Sequence, residues 1–227
     1  MPAIPSRVRP DLIRSFLGPK PRGGWRKFAI LSDRDEFTWN GVAGRVAGIL
    51  ESRLDRGVVA NRTIVTAVGW RLEEMRAARR RAGAMAPRAG LLLRTDVEDF
   101  YPSITPRVLV RALADLGVPR RDSWLAGRML EGWGEWGHHG LPIGPVGSAV
   151  LANAVLARVD DALGSFHFIR WVDDYLIALP SEKALTHILD RLDSSLDGLH
   201  LRRSVPKTEL LERGAAGIPW LPSRLHG

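Results

Sequence analysis

The sequence predicts a mixed α+β fold in which an antiparallel sheet is backed by helices. Residues 168–179 hold two apolar, β-favouring runs on either side of an adjacent acid pair, and this pattern predicts a strand, a tight turn and a second strand. Residues 91–95, Leu-Leu-Leu-Arg-Thr, precede an acid, and this stretch predicts a further buried strand. Apolar residues in 107–116 and 182–196 recur at the three- and four-residue spacing of amphipathic helices.

The N-terminal part is predicted to contain less regular structure. Residues 1–24 are rich in Pro, Gly and Arg, so we expect an arm with little secondary structure. Residues 33–56 have helical spacing and precede Gly57, a suitable helix end. Residues 58–68 are β-branched and predict a strand or hairpin, and residues 73–81 predict a basic helix.

The middle of the chain is predicted to alternate helices with glycine-rich loops. Residues 124–130 predict a helix, and the loop after it is expected to hold Trp133, Trp136 and a solvated His138–His139 pair. The glycines and prolines of 140–148 then lead into an apolar helix over 149–163. Such a loop at a helix N-terminus can bring backbone N–H groups close to a phosphate or a nucleobase.

Composition limits the classes of function. The chain has 227 residues, enough for one substantial core or two small lobes, and it has no cysteine, which excludes disulfides, thiolate zinc sites and cysteine nucleophiles. Residues 1–90 hold 18 Lys and Arg against 8 Asp and Glu, and residues 91–227 hold 15 against 17. This asymmetry suits a polyanion bound by one lobe and processed by the other, although a solubilising surface would look the same. No signal peptide and no membrane span are evident, so we expect a cytoplasmic protein.

Three aspartates form a candidate metal site. Asp173 and Asp174 lie side by side within the apolar hairpin, where two like charges are costly unless a cation lies near them. Asp96, at the end of the strand over residues 91–95, provides the third carboxylate. Three such acids can hold two Mg²⁺ ions ~4 Å apart for an in-line displacement at phosphorus, and the carbonyl of Val97 could add a ligand. The Asp160–Asp161 pair, by contrast, is expected to be a charged helix end.

Basic side chains provide two further candidates. Lys207 is one of 4 lysines beside 29 arginines, and it lies just before a predicted strand. Unlike a guanidinium, its ammonium can give up a proton. Arg76, Arg79, Arg80 and Arg81 form a cluster on the predicted basic helix. That cluster could hold nucleic-acid phosphates or could be an ordinary solvated helix face.

These residues together resemble the motifs of reverse transcriptases. The sequence Asp96-Val-Glu-Asp-Phe-Tyr101-Pro-Ser-Ile is similar to motif A, and Gly140-Leu-Pro-Ile-Gly-Pro-Val-Gly-Ser148 is similar to motif B. Trp171-Val-Asp-Asp174 is similar to motif C, and Gly198-Leu-His-Leu followed by Lys207-Thr208 is similar to motif D. All four occur in the family's order within residues 91–211.

The resemblance implies a right-hand polymerase. It would comprise an N-terminal arm (1–24), fingers (25–90) and a palm (91–227) with a finger-like insertion at about 117–140. Asp96, Asp173, Asp174 and the Val97 carbonyl would bind two Mg²⁺ ions, with Mn²⁺ as a possible substitute. Lys207 would act as the general acid that protonates the pyrophosphate leaving group.

The resemblance also implies a set of nucleotide contacts. Tyr101 falls where the family places an aromatic steric gate, which selects dNTPs by crowding a ribose 2′-OH. Val97, Phe100 and Gly144 would line the same nucleotide site. Arg62 and Arg71 fall in the region whose residues contact the incoming triphosphate. The expected partners are an RNA template and a DNA or RNA primer.

Two departures from the family pattern leave alternatives open. Ile143 replaces the usual glutamine of motif B, a variant closer to the abortive-infection and phage-defence branch of bacterial reverse transcriptases. Because few residues follow Leu211, we expect a thumb to be absent or minimal, with a partner chain or a non-coding RNA in its place. The favoured interpretation is an RNA-directed DNA polymerase, and anti-phage defence is the biological role that the Ile143 variant suggests. The alternatives are untemplated or protein-primed DNA synthesis and a non-catalytic nucleic-acid-binding subunit.

Overall fold

The computed structural model describes residues 9–20, 24–63, 68–164 and 166–212, without the side chains of residues 68–72 and 212. It divides into two compact units. The first contains Met1–Arg53, Asn61–Ile64 and Asp99–Ala157, and the second contains Leu54–Ala60, Val65–Glu98 and Arg158–Gly227. Both units are discontinuous in sequence, and the predicted boundary between fingers and palm at residue 90 remains a prediction.

Strands and helices follow one another along most of the described chain. In chain order they are β1 (Arg14–Pro19), β2 (Trp25–Ile30), α1 (Asp33–Leu50), α2 (Val68–Met85), β3 (Leu91–Asp96), α3 (Phe100–Ser103), α4 (Pro106–Asp115), α5 (Arg120–Glu135), α6 (Val146–Leu163), β4 (Phe168–Trp171), β5 (Asp174–Leu179), α7 (Lys183–Asp197) and β6 (Glu209–Glu212). None of the described helices is both long and apolar enough to cross a membrane.

Helices α1, α4 and α5 form the core of the first unit. The side-chain oxygen of Ser32 accepts a hydrogen bond from the backbone N–H of Asp35 and so caps α1. Thr105 caps α4 in the same way, and Pro106 occupies its first turn. Trp39 of α1 and Trp133 of α5 are fully buried and meet edge to face, with their ring centroids 5.1 Å apart. Trp133 therefore belongs to a helix and not to the predicted loop.

The first unit also contains a β-hairpin that the sequence did not predict. Strands β1 and β2 pair antiparallel from Arg14↔Ile30 to Pro19↔Trp25. The prediction of an arm with little regular structure over residues 1–24 was thus wrong for residues 14–19. The backbone N–H of Ala29 also donates to the carbonyl of Ile143 (2.7 Å), so β2 is tied to the glycine-rich loop.

The second unit is organised around a four-stranded sheet with the order β4-β5-β3-β6, in which every neighbouring pair is antiparallel. Helix α2 packs on this sheet through a cluster of buried apolar side chains. The cluster contains Val59, Met75, Ala78, Ala82, Ala89, Leu92, Ile169 and Leu176. The predicted antiparallel sheet backed by helices is therefore confirmed.

Residues 58–68 differ from the prediction of a strand or hairpin. Val58 makes one parallel bridge to Arg170, and residues 59–63 form no strand. Residues 64–67 lie outside the described residues. The β-branched composition instead serves burial, because Val58 and Val59 are in the core.

Candidate active site

The sheet of the second unit brings two of the three predicted acids into register. Asp96 ends β3 and pairs with Asp174, the first residue of β5. Asp173 precedes Asp174 in the turn between β4 and β5, and its carbonyl accepts a hydrogen bond from the N–H of Val97 (3.3 Å). Directly opposed residues in an antiparallel pair have Cβ atoms roughly 5 Å apart. The register alone therefore places carboxylates from the two central strands at the same end of the sheet.

The turn that carries Asp173 has an unusual backbone conformation. Trp171 pairs with Asp174, so Val172 and Asp173 form a two-residue connection between β4 and β5. Val172 has a φ of 59°, a left-handed conformation that is strongly disfavoured for a β-branched residue. Such strain persists only where the surroundings fix the backbone, and it is concentrated at functional sites.

The electrostatics of Asp173 show that the acids interact. Burial, followed by the negative charges of Asp96 and Asp174, raises the pKa of Asp173 to about 7. A carboxylate therefore ionises reluctantly at this position in the absence of a cation. An acid with a strongly raised pKa beside other acids is a candidate for function.

Lys207 lies against the same acids. Its Nζ donates to Oδ1 of Asp96 at 2.7 Å, with Asp96 buried and Lys207 half exposed. The backbone holds the lysine in this place, because the N–H of Ser204 donates to the carbonyl of Asp96 (2.7 Å) and a short 3-10 turn follows at Val205–Lys207. The hydroxyls of Thr208 and Thr95 are also 2.8 Å apart, which joins the lysine segment to β3.

The donor set fits divalent cations of the Mg²⁺ type. Carboxylate and carbonyl oxygens are the ligands that Mg²⁺ and Mn²⁺ prefer. Burial and the charges of Asp96 and Asp174 raise the pKa of Asp173, and a cation beside this carboxylate would favour its charged form. Among the described residues, however, no three His, Asp or Glu side chains already converge as a ligand set. Metal binding would therefore require Lys207 to leave Asp96 and the carboxylates to turn towards each other.

The predicted nucleotide contacts belong to the first unit, apart from Val97, which is buried in the second, and Arg71. Phe100 is almost fully buried and meets Tyr101 edge to face at 5.7 Å, so of these two rings Tyr101 presents the greater surface. The carbonyl of Tyr101 accepts a hydrogen bond from the N–H of Leu141 (2.8 Å), which fixes it to the glycine-rich loop. Gly144, in that loop, is exposed with a φ of 125° that favours glycine.

The arginines that were predicted to contact nucleotide or nucleic acid have different surroundings in the structure. The guanidinium of Arg62 donates to the carboxylate of Glu51 (3.3 Å), so binding a triphosphate would mean exchanging that partner. Arg71 lies in α2, but its side chain is outside the described residues. The cluster of Arg76, Arg79, Arg80 and Arg81 lies on the exposed side of α2, opposite the buried Met75, Ala78 and Ala82. This arrangement fits both a solvated face and a phosphate-binding face.

A buried ion pair beside the turn was missed by the sequence interpretation. Arg170 of β4 is fully buried, and its Nε and Nη2 donate to the two carboxylate oxygens of Asp160 at 2.8 and 2.6 Å. The hydroxyl of Tyr175 donates to the same carboxylate at 2.9 Å. Burial alone would lower the pKa of the Arg170 guanidinium, but the charge and hydrogen bonds of Asp160, together with Tyr175 and Asp173, raise it above its ordinary value. The prediction that Asp160 is part of a charged helix end was wrong, whereas Asp161 is exposed.

His138 also differs from the prediction of a solvated histidine pair. Its side chain is buried, and neither ring nitrogen has a hydrogen-bond partner among the described residues, whereas His139 is exposed. Burial, then the charges of Lys27 and His139, lower the pKa of His138, so the ring is neutral near pH 7.

Comparisons with known proteins identify the family and the fold of the chain. Residues 52–220 match the family model of the reverse transcriptase (RNA-dependent DNA polymerase). Two similar solved structures are telomerase from Candida albicans in complex with the TWJ fragment of telomeric RNA (TM-score 0.58, 14% identity, 96% of this chain and 44% of that chain) and apo telomerase from Candida tropicalis (TM-score 0.56, 13% identity, 96% and 47%). The chain thus spans about half the length of these structures. A search of curated protein sequences gives no match.

The mixed α+β architecture resembles the polymerase fold of these telomerases, which defines the class as a nucleic-acid polymerase fold. The chain belongs to the reverse transcriptase family, because the family model matches well over half of its length. The resemblance that the four sequence motifs indicated is confirmed at the level of the family.

Proposed function

We propose that this chain is an RNA-directed DNA polymerase, which adds deoxynucleotides to a primer 3′ end by phosphoryl transfer. The observation that carries the proposal is the register of Asp96 against Asp174, with Asp173 in the adjoining turn and Lys207 within 2.7 Å of Asp96. Membership of the reverse transcriptase family supports the reaction class, since the family consists of nucleic-acid polymerases.

In this proposal Asp96, Asp173 and Asp174 hold the divalent ions, together with the carbonyl of Val97. When bound, two Mg²⁺ ions supply the charge that stabilises the attacking and leaving oxygens of an in-line displacement. Lys207 has two roles that its position allows. Before metal binding its ammonium neutralises Asp96, and during the reaction the same ammonium donates a proton to the departing pyrophosphate.

Tyr101 provides the selection for deoxynucleotides in this proposal. Its ring packs against the buried Phe100, and its backbone is fixed by the hydrogen bond from Leu141 to its carbonyl. A rigid aromatic ring rejects a ribose 2′-OH by steric overlap. The RNA template is supported by family membership, and the Candida albicans telomerase structure contains an RNA fragment.

The test is incorporation of labelled dNTPs by the purified chain with Mg²⁺ on primed RNA, on primed DNA and without template. Asp173→Asn is the inactivating variant, and Asp161→Asn is its matched control, because Asp161 is exposed at the end of α6. We expect products that depend on primed RNA and that Asp173→Asn alone abolishes. Synthesis without template or from a protein primer would replace the proposal with an untemplated polymerase. Absence of all products from folded protein would favour a non-catalytic nucleic-acid-binding subunit.

As a biological role we propose anti-phage defence, which rests on the Ile143 variant of motif B. The backbone carbonyl of Ile143 is bound by the N–H of Ala29, so the substitution lies where the loop meets β2. The test is phage plating efficiency on bacteria that express the wild-type chain or Asp173→Asn. Equal plating on both strains would contradict the role without affecting the proposed enzymatic activity.

A further inference from the structure

We propose that Arg170 is a positioning residue that, together with Asp160 and Tyr175, holds the Val172–Asp173 turn in the conformation that binds divalent metal. The inference rests on the proposed function, because it requires that the carboxylates of the turn are metal ligands. It assigns a role to a buried ion pair that is not part of the ligand set.

The contacts of Arg170 connect the ion pair directly to the turn. Two of its nitrogens bind Asp160, and the third, Nη1, donates to the backbone carbonyl of Val172 at 2.8 Å. A planar guanidinium fixed bidentately on one side has little freedom on the other. The position of the Val172 carbonyl is therefore defined relative to α6, the helix that carries Asp160.

Both ends of the turn are held by the same network. Arg170 and Tyr175 are cross-strand partners in the β4–β5 pair, one residue outside the Trp171↔Asp174 pair that closes the turn. The Tyr175 hydroxyl donates to Asp160, and the Arg170 guanidinium lies 5.7 Å from the centre of the Tyr175 ring. The carboxylate of Asp160 thus binds both Arg170 and Tyr175, the residues on either side of the turn.

The left-handed φ of Val172 explains why the turn needs such support. Without an external hydrogen bond, a valine at φ 59° would relax towards a right-handed or extended conformation. That rotation would move the peptide that joins Val172 to Asp173 and so displace the Asp173 carboxylate. The hydrogen bond from Arg170 to the Val172 carbonyl opposes this movement.

Stability alone is a poor explanation for the network. Replacing a buried ion pair with apolar residues of similar volume is often neutral or stabilising, because the charges recover their lost hydration only partly. An apolar pair in the same place would fill the space between β4 and α6 but would offer the Val172 carbonyl no donor. The charged pair is therefore better explained by the hydrogen bond that Arg170 donates to the Val172 carbonyl.

The test separates positioning from stability with an apolar replacement of the whole network. The triple variant Asp160→Leu, Arg170→Met, Tyr175→Phe removes both charges and the hydroxyl of the network together, so none of these three groups is left without its partner. Binding of Mn²⁺ to metal-free protein is measured by electron paramagnetic resonance, and stability is measured by denaturant unfolding. Arg45→Met, Asp122→Leu is the control, because it removes another bidentate ion pair, located in the first unit.

We expect the triple variant to unfold near the wild-type midpoint and to bind Mn²⁺ at least 10-fold more weakly, while the control binds as the wild type does. Adding Val172→Gly to the triple variant should raise its Mn²⁺ affinity at least threefold, because glycine adopts a positive φ without strain. Wild-type affinity in the folded triple variant would overturn the inference. Loss of affinity that Val172→Gly leaves unchanged would overturn it as well.

Arg170→Lys keeps the test decisive if the triple variant does not fold. A lysine ammonium retains the charge beside Asp160 but cannot span both Asp160 and the Val172 carbonyl, so Mn²⁺ affinity should again fall. Unchanged affinity in Arg170→Lys would refute the positioning role. If Asp173→Asn bound Mn²⁺ as the wild type does, or if the wild type bound none, the metal site of the proposed function and this inference would both fail. If the wild type bound Mn²⁺ as expected but synthesised no DNA, the proposed function alone would fail.

Discussion

Asn in place of Asp173 should make the metal-free protein more stable at alkaline pH while removing its response to metal. The folded-state pKa of Asp173 is about 7, above its usual value of 3.8, so the folded protein binds a proton at this site more tightly than the unfolded chain does. Stability therefore falls as pH rises from about 4 to about 7 and stays at the lower level above that range. An asparagine has no such charge and escapes the loss.

The structure sets the size of the effect. A pKa rise from 3.8 to about 7 corresponds to an upper limit of roughly 4 kcal/mol. Asp173 is partly exposed, so solvent screening reduces this, and we expect about 1–3 kcal/mol in favour of Asp173→Asn at pH 8. For a chain of this size that free energy corresponds to roughly 3–10 °C in the unfolding temperature.

The assay is thermal or denaturant unfolding of both proteins in a chelator between pH 4 and pH 8, repeated with Mg²⁺ or Mn²⁺. The difference between the variants should be small near pH 4 and should grow up to about pH 7. Added metal should stabilise the wild type above pH 7 and leave Asp173→Asn unchanged, because only the wild type offers the site. A variant less stable than the wild type at pH 8, or a difference independent of pH, would refute the reasoning.

Three further predictions concern Lys207, Tyr101 and two glycines of the first unit. Lys207→Ala should lower kcat by roughly 10²–10³-fold, as measured by single-turnover kinetics with dNTPs. Lys207→Arg should be almost as slow, because a guanidinium does not give up its proton. Full activity of the arginine variant would argue against the acid role. Tyr101→Ala should raise incorporation of ribonucleotides roughly 10-fold or more, whereas Tyr101→Phe should not. Competition between rNTPs and dNTPs measures this selectivity. Equal selectivity of the two variants would show that Tyr101 is not the steric gate. Gly140→Ala should cost more than about 2 kcal/mol of unfolding free energy, because its φ is 80° and a Cβ would lie 2.4 Å from the Pro102 carbonyl oxygen. Gly137 has a similar φ of 76°, but a Cβ there would meet open space, so Gly137→Ala should cost only about 1 kcal/mol. Denaturant unfolding measures both costs. Equal costs at the two glycines would show that the close approach is relieved elsewhere.

The parts of the fold that the sequence predicted well are those in which burial and charge conflict locally. An acid at the end of an apolar strand, or an acid pair between two apolar runs, identifies β3, β4 and β5 without reference to the rest of the chain. Once the strands are known, their antiparallel pairing brings Asp96 opposite Asp174. Lys207 could be singled out because lysine is rare in this arginine-rich sequence.

The parts that were missed depend on contacts between distant residues. Strand β1 lies in a segment of turn-forming residues, and only its pairing with β2 makes it a strand. The glycines of α5 suggested an early helix end, but they serve close packing. A Cβ on Gly132 would lie 2.3 Å from the ring of Pro10, and one on Gly127 would lie 2.6 Å from Val110. Local composition does not distinguish a glycine that ends a helix from one that lets another segment approach.

The two acid pairs of the chain show what a charge in an apolar setting implies. Asp173 was recognised because it forms an acid pair with Asp174 within an apolar hairpin, yet Arg170, three residues earlier, lies equally within an apolar strand and was not questioned. A buried arginine requires a buried acid, and Asp160, in a helix otherwise rich in apolar residues, was the available partner. The same requirement explains both sites. Where a buried charge has a bidentate partner, the result is a fixed ion pair. Where burial and two neighbouring acids raise the pKa of a carboxyl group, as at Asp173, the site is a candidate for metal. The network of Asp160, Arg170 and Tyr175 and the turn that it holds are then two consequences of one rule.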